Sequence, residues 1–476
     1  MKTFSTADDV TLNNTWKIVA LLVVIAGVFI SAFKIFTPYS YWFDELYSVN
    51  ASALAWTDLH QLLLADVHPP LYQVILKIWM STFGGTEPTT RILSWLFATA
   101  SLVVALRFAS KTGGVFLYCV AVCFSANMLF TFYANETRAY AMALFLSTLL
   151  LTLFPFAKNH QTHSSFFIVA LLLSLTHYFG LILAGVMLAA VFIQNLKNAA
   201  TLLKATITGL ACLIWPLYHI FNGSITSYTS GNFWINIESP LQSINVASYI
   251  LVAGSGRIGA VIFLFSLVIG CVICYLQRDA VKRFNEVANI GFLCAAMVLF
   301  IVCLIAAVDS YTPISTSRNY IVIVPLSIFA LAATVHILAA SGPILKKTLL
   351  VLVTVYSCLA LVVSYKQLVS KSQIRQDWKN AISAAAKDSS AHKLYYYAPD
   401  RLVDHYFKEN NIPVDDLTKY VPNETMLTPR SIVAYGYLSE ERYLEFERSM
   451  LSLNARHLFP IENYRAVGHA GVFVID

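Results

Sequence analysis

The chain reads Ile18-Val-Ala-Leu-Leu-Val-Val-Ile-Ala-Gly-Val-Phe-Ile-Ser-Ala-Phe-Lys-Ile-Phe36, and directly afterwards Tyr39-Ser-Tyr-Trp-Phe-Asp44-Glu45-Leu-Tyr-Ser48. The first stretch is long and apolar enough to cross a bilayer. The second sets two adjacent carboxylates among aromatic side chains at its edge, where ionised groups are costly and usually functional. Farther on stand Asp66-Val-His68-Pro69-Pro70-Leu71-Tyr72 and Tyr133-Ala-Asn-Glu136-Thr-Arg138-Ala-Tyr140. Acids, a histidine and an arginine thus recur at the ends of apolar stretches. They are expected to form one polar site facing one side of a membrane.

Composition supports the membrane reading. Of 476 residues 58% are hydrophobic and 12% charged, and the mean hydropathy is +0.65, which excludes a soluble enzyme of ordinary composition. Residues 366–476 carry 14 of the 32 basic and 14 of the 26 acidic residues, so this tail reads as a neutral, water-soluble domain. The net charge of +6 therefore belongs to residues 1–365 and reflects membrane topology. No basic run points to nucleic acid. The eight cysteines all lie in apolar stretches, where a thiol acts as a small hydrophobe. Cys271 and Cys274 have CxxC spacing but no polar surroundings that would suit a metal. The run Ile18 to Phe36 lacks a small-residue cleavage site and reads as a signal anchor.

Eleven spans are expected, near 17–36, 91–109, 115–132, 138–157, 165–178, 180–196, 205–221, 257–276, 288–308, 320–340 and 348–365. With the N-terminus inside, Arg107, Lys111, Lys158, Lys197, Lys204, Arg278, Lys282, Arg283, Lys346 and Lys347 all fall on the cytoplasmic side. Asp44, Glu45, Asp66, Glu136 and Asp309 fall outside. Residues 69–83 are apolar but short and contain Lys77, so they read as interfacial; a span there would flip every later loop. The first outer loop, 37–90, is expected to hold one or two helices along the membrane surface. A second, 222–256, carries Trp234 and Glu238 and suits a flap over a site. An odd number of spans leaves the C-terminus outside. In the tail, helix-like pieces (377–386, 401–409, 440–453) alternate with strand-like ones (393–398, 431–437, 471–475), the pattern of a small α/β domain.

Asp44 is the candidate general base, since deprotonating an acceptor hydroxyl needs a carboxylate within hydrogen-bond reach. Glu45 either joins it or orients it, and the plainer alternative for both is a solvated helix start favoured by the dipole. Asp66 can select the tautomer of His68, which the following prolines aim; His68 could hold a phosphate oxygen or be a simple loop histidine. Arg138 and Arg318, the latter in Ser315-Thr-Ser-Arg318-Asn-Tyr320, lie at the outer ends of two spans. Alone each suits an interfacial anchor. Together, beside carboxylates, they suit a clamp for an anionic headgroup, with Glu136 holding Arg138. Arg257 is a weaker candidate.

In these motifs the chain resembles GT-C glycosyltransferases of the family that includes protein O-mannosyltransferases and lipid A aminoarabinose transferases. The carriers are Trp42-Phe43-Asp44-Glu45, His68-Pro69-Pro70-Leu71-Tyr72, Glu136-Thr-Arg138-Ala-Tyr140, Arg318-Asn-Tyr320 and Gln376-Asp377-Trp378-Lys379. The resemblance implies a polytopic α-helical membrane protein with a C-terminal extracytoplasmic α/β domain, embedded in the cell's inner membrane. It implies transfer of a sugar, with inversion, from a polyprenyl phosphate to a lipid-linked glycan, lipid A or a protein on the outer face. Asp44 is then the catalytic carboxylate, with Glu45 beside it. His68, Arg138 and Arg318 hold the donor phosphate, supported by Asp66, Glu136, Tyr72 and Tyr320. The family's pattern is not fully kept: aminoarabinose transferases carry a lysine near the place of His68, and mannosyltransferases an aspartate where Glu136-Arg138 stands. No cofactor is required, although the acids could recruit a divalent cation. The competing class is a flippase for a lipid-linked sugar, which should place ionisable residues at mid-membrane and on both sides; here the spans are almost free of charge.

Overall fold

The computed structural model describes residues 12–37, 39–156, 162–222, 237, 239–251, 256–278, 285–374, 379–380, 382–383, 393–397, 404–410, 418–422, 424–429, 431–438, 440–457 and 469–475. Most of the expected flap, with Trp234 and Glu238, lies outside them, as do Asp377, Trp378, Lys282, Arg283 and the side chain of Arg257.

Helices run where the sequence is apolar without a break. α1 (Asn14–Ser31) opens on Asn13, whose side chain accepts the Trp16 N–H and satisfies a donor the helix start would leave bare. α2 (Phe43–Ala53), α3 (Trp56–Ala65) and α4 (Leu71–Phe83) follow. Residues 37–90 therefore hold three helices where one or two were expected. Asp44 and Glu45 stand in the first turn of α2, as the helix-start alternative for them expects, and the Glu45 carboxylate accepts the Trp42 N–H, at 3.3 Å. Next come α5 (Glu87–Ser110), α6 (Gly114–Ser125), α7 (Met128–Tyr133), α8 (Tyr140–Leu153), α9 (Ser164–Ser174), α10 (Tyr178–Gln194) and α11 (Ala199–Phe221). α12 (Pro240–Ser248), α13 (Gly256–Arg278) and α14 (Asn285–Asp309) lead to a 3-10 helix at Ser317–Ile323, then to α15 (Val324–Ala339) and α16 (Pro343–Ile374).

Among the described residues, six helical segments are long and apolar enough to cross a membrane: Asn14–Ile35, Glu87–Ser110, Ala199–Phe221, Glu286–Asp309, Ser317–Ala339 and Pro343–Ser370. Five apolar helices among the same residues are shorter: Gly114–Ser125, Tyr140–Leu153, Ser164–Ser174, Tyr178–Gln194 and Val261–Leu276. Each expected span overlaps one of these eleven. The expected span 115–132 is shortened because the Asn127 side chain accepts the N–H groups of Leu129 and Phe130 and starts a new helix, α7. The protein is a multi-pass α-helical membrane protein.

The chain divides into two compact units. The first comprises Met1–Phe33, Trp56–Ile75 and Arg91–Tyr365. Its centre is α15, which packs against α6, α8, α13 and α14 and buries nearly every side chain, as a helix apolar on all sides must. α1 turns Ile18, Leu21, Leu22, Ile25 and Phe29 outward, and α11 turns out Ile207, Leu210 and Ile214. Such apolar outer faces suit lipid, where every backbone polar group is satisfied within its own helix. Close packing needs small residues. At Gly27, where α1 meets α6, an added Cβ would stand 2.1 Å from the Ser125 carbonyl oxygen.

The second unit comprises Lys34–Ala55, Leu76–Thr90 and Lys366–Asp476. Its strands β1 (Lys393–Tyr397), β2 (Thr418–Lys419), β3 (Ser431–Leu438), β4 (Ala455–His457) and β5 (His469–Ile475) form one sheet in the order β2-β1-β3-β5-β4. β1 runs parallel to β2 and β3, while β5 is antiparallel to β3 and β4, with Tyr395 opposite Val433 and Val433 opposite Phe473. Helix α17 (Asp404–Glu409) and helix α18 (Glu440–Ser452) complete the α/β part. α18 contributes Tyr443, Phe446 and Met450 to a core shared with Tyr395, Val433, Tyr435 and Phe473.

Candidate active site

In the first unit, Asp66 and His68 follow the end of α3. Asp66 is buried, its Oδ1 accepts the Val67 N–H at 2.7 Å, and His68 Nδ1 lies 3.1 and 3.2 Å from its two oxygens. A carboxylate on Nδ1 keeps the proton there and leaves Nε2 for another partner. The His68 side chain is 46% exposed. α4 then starts with the Leu71 N–H bonded to the Leu175 carbonyl, at 2.9 Å, tying this loop to the turn between α9 and α10. Tyr72 is buried in the first turn of α4.

The segment between α7 and α8 is irregular yet buried: Asn135, Glu136 and Thr137 are inaccessible and Arg138 nearly so. Asn135 holds it by donating to the carbonyls of Ile30 and Thr131. Arg138 and Arg318, far apart in sequence, meet at one ring: their guanidinium carbons lie 5.9 and 5.7 Å from the centre of Tyr140. A cation over a tyrosine face is attracted by the ring's quadrupole. Two guanidinium groups at one ring gather positive charge in one place, which favours an anionic ligand there.

His177, in the turn before α10, completes the cluster, with its ring 5.6 Å from Tyr140. Its Nδ1 accepts the Phe179 N–H, so it is neutral. Burial, reinforced by His68, Arg138 and Arg318, pushes its pKa down to about 3. The sign follows: below the ordinary histidine value of about 6.5 the unfolded chain takes up a proton that the folded chain refuses. Stability is therefore expected to fall as pH drops from about 6.5 towards 3. Thermal melts of His177→Gln should show a flatter pH dependence over that window than the natural protein; identical slopes would remove His177 from the account.

Arg318 is delivered by a shaped loop. Buried Asp309, at the end of α14, accepts the N–H groups of Ile314 (2.8 Å) and Ser315 (3.1 Å) and the Ser243 hydroxyl (2.5 Å). The Tyr320 hydroxyl lies 3.3 Å from that of Ser243 and 3.2 Å from that of Ser315, and its ring packs edge-on against Phe179. Tyr320 thus fixes the 3-10 helix that carries Arg318.

Asp44 and Glu45 belong to the second unit. Asp44 is partly buried in the first turn of α2, and Glu45 is fully buried as the side chain that closes the start of that helix. Among the described residues no three His, Cys, Asp or Glu side chains are grouped to hold a metal ion.

The sequence matches no protein-family model and no curated protein. Solved structures do match. ArnT from Cupriavidus metallidurans in the apo state aligns with a TM-score of 0.57 at 12% identity, over 96% of this chain and 98% of that one. The same protein bound to undecaprenyl phosphate aligns with a TM-score of 0.56 at 11% identity, over 96% and 98%. The chain has the GT-C fold.

Within the GT-C fold, sequence reading singled out both arginines, His68 and Asp66, which the first unit contains. It missed His177 and Tyr140 as participants. Tyr140 stands in a quoted motif without a role, and His177 is a lone histidine between two apolar stretches, a pattern that ordinarily marks a capping residue. Asp309 counted only as an outer acid; its neighbours in space come from Ser243 and from the loop after it.

Proposed function

We propose that the chain is a membrane glycosyltransferase that moves a sugar from a polyprenyl phosphate to an acceptor on the outer face of the cytoplasmic membrane. The observation that carries this reading is the pair Arg138 and Arg318 on the Tyr140 ring, in a fold shared with a protein crystallised with undecaprenyl phosphate. Asp44 takes the proton of the acceptor hydroxyl, and the oxygen attacks the anomeric carbon of the sugar. The bond to the phosphate oxygen breaks on the opposite side, with inversion, and polyprenyl phosphate leaves with the electron pair. Guanidinium groups stabilise the charge that grows on that phosphate, so no divalent cation is required. The acceptor is a lipid-linked glycan, lipid A or a protein. Purified protein in nanodiscs is expected to bind undecaprenyl phosphate saturably. Failure to bind, or movement of the lipid across a bilayer with no sugar transferred, would replace this reading with transport.

The reading also places the tail outside the cell membrane's cytoplasmic face. In a background lacking the eight native cysteines, Met426→Cys, at a site 89% exposed, should react with an impermeant maleimide in intact spheroplasts. Ile344→Cys, at a site 83% exposed, should react only after lysis. The reverse pattern would refute the topology.

A further inference from the structure

The second unit contains a buried polar network that the reaction above does not use. Glu87, 1% exposed, receives the Lys379 ammonium on both carboxylate oxygens, at 3.1 and 2.9 Å. The Tyr406 hydroxyl donates to the same carboxylate at 3.0 Å and accepts the backbone N–H of Tyr41 at 2.6 Å. The Lys379 N–H donates to the Ser40 hydroxyl at 3.0 Å. The Tyr41 ring is fully buried, packs edge-on against His405, and its hydroxyl meets the Gly85 carbonyl and the Thr90 hydroxyl. Two tail residues thus grip Ser40 and Tyr41, just ahead of the turn that carries Asp44.

We infer that Glu87, Lys379 and Tyr406 are positioning residues for Asp44, and that this is a function of the tail in the transfer reaction. The inference rests on the proposed role of Asp44. Glu45 closes the start of α2 from inside the helix through the Trp42 N–H, and the tail holds the two residues ahead of it, Ser40 and Tyr41. The Tyr406 hydroxyl sets where the Tyr41 N–H lies, and hence where α2 begins and where Asp44 points. Burial and the Glu87 charge push the Tyr406 phenol up, so it stays a donor to the carboxylate at every working pH. A buried carboxylate with a lysine and a phenol on it is fully satisfied and rigid; removing one partner leaves the rest poorly compensated. An error of about 1 Å in the placement of a reacting group costs about a hundredfold in rate.

The test uses the purified full chain in nanodiscs and the variants Tyr406→Phe, Lys379→Met, Lys379→Arg and the charge-neutral pair Glu87→Gln with Lys379→Met. Three quantities are measured: sugar-transfer turnover with lipid extract as donor, undecaprenyl phosphate affinity, and amide exchange over residues 41–46. Tyr406→Phe and Lys379→Met are expected to lower turnover about ten- to a hundredfold, leave undecaprenyl phosphate affinity within about twofold, and speed exchange over 41–46. Lys379→Arg should restore most of the turnover. The neutral pair removes the ionic grip without leaving a buried charge, so it reports on positioning even where Lys379→Met does not fold. Unchanged turnover and exchange in Tyr406→Phe and the neutral pair, or equal losses of turnover and lipid affinity, would overturn the inference. Asp44→Asn, run alongside, separates the two ideas: full turnover there would end the role of Asp44, whatever the network variants do.

Discussion

Asp44→Asn should abolish sugar transfer while leaving the protein folded and able to bind undecaprenyl phosphate. Asparagine has nearly the shape of aspartate and can still sit in the first turn of α2, where Asp44 is only partly buried. It cannot take a proton from an acceptor hydroxyl. Loss of general-base help costs about 10²- to 10⁴-fold in rate, so turnover should drop into that range with lipid affinity unchanged. Glu45→Gln is the companion variant. Because the Glu45 carboxylate closes the helix start through the Trp42 N–H, its loss should act on stability and on placement of Asp44, with a smaller effect on turnover. Near-normal turnover in Asp44→Asn combined with collapse in Glu45→Gln would move the base to Glu45.

The second large effect concerns the phosphate. Arg138 and Arg318 flank one tyrosine ring, and hydrogen bonds to charged groups are worth about 1.5 to 3 kcal/mol each. Alanine at either position should weaken undecaprenyl phosphate binding about ten- to a hundredfold. Alanine at both should weaken it further. Lysine keeps the charge but loses the paired planar geometry of the guanidinium, so Arg→Lys should cost less than Arg→Ala at each site. The acceptor's apparent affinity should stay as it was. Binding of undecaprenyl phosphate by the double alanine variant at natural strength would reduce both residues to interfacial anchors.

Much of the fold is legible in sequence because bilayer crossing imposes length and apolarity on each span, and both are local properties. That is why each expected span overlaps an apolar helix, and why the tail's strand at 393–398 and helix at 440–453 lie within a residue or so of β1 and α18. Interruptions by a single polar side chain are harder to read. Asn127 sits in an apolar run, and only its capping contacts show that one helix ends and another begins there. The start of α2 was legible as the alternative reading of Asp44 and Glu45, but its closing contact, from the Trp42 N–H to Glu45 inside the helix, was not.

The site divides in the same way. Arg138, Arg318 and His68 stand out in sequence as charges or ligands at the ends of apolar stretches. Their shared ring does not, because Tyr140 gains its role only when the 3-10 helix at Ser317–Ile323 brings Arg318 beside it. Asp309 and Tyr320 do that through bonds to a loop and to Ser243, contacts that no spacing rule links. Lys379 was visible as part of a motif opening the tail, but its partner Glu87 lies in the first outer segment, and two such distant charges cannot be paired by reading alone.

The central claim is transfer of a sugar from a polyprenyl phosphate, and mass spectrometry of lipids and glycans from cells lacking the protein tests it most directly. A polyprenyl-phosphate sugar should accumulate, and one envelope lipid, glycan or protein should be lighter by the mass of that sugar; the natural protein should restore both and Asp44→Asn neither. Lipid and glycan profiles identical with and without the protein, under conditions where it is made, would contradict the account.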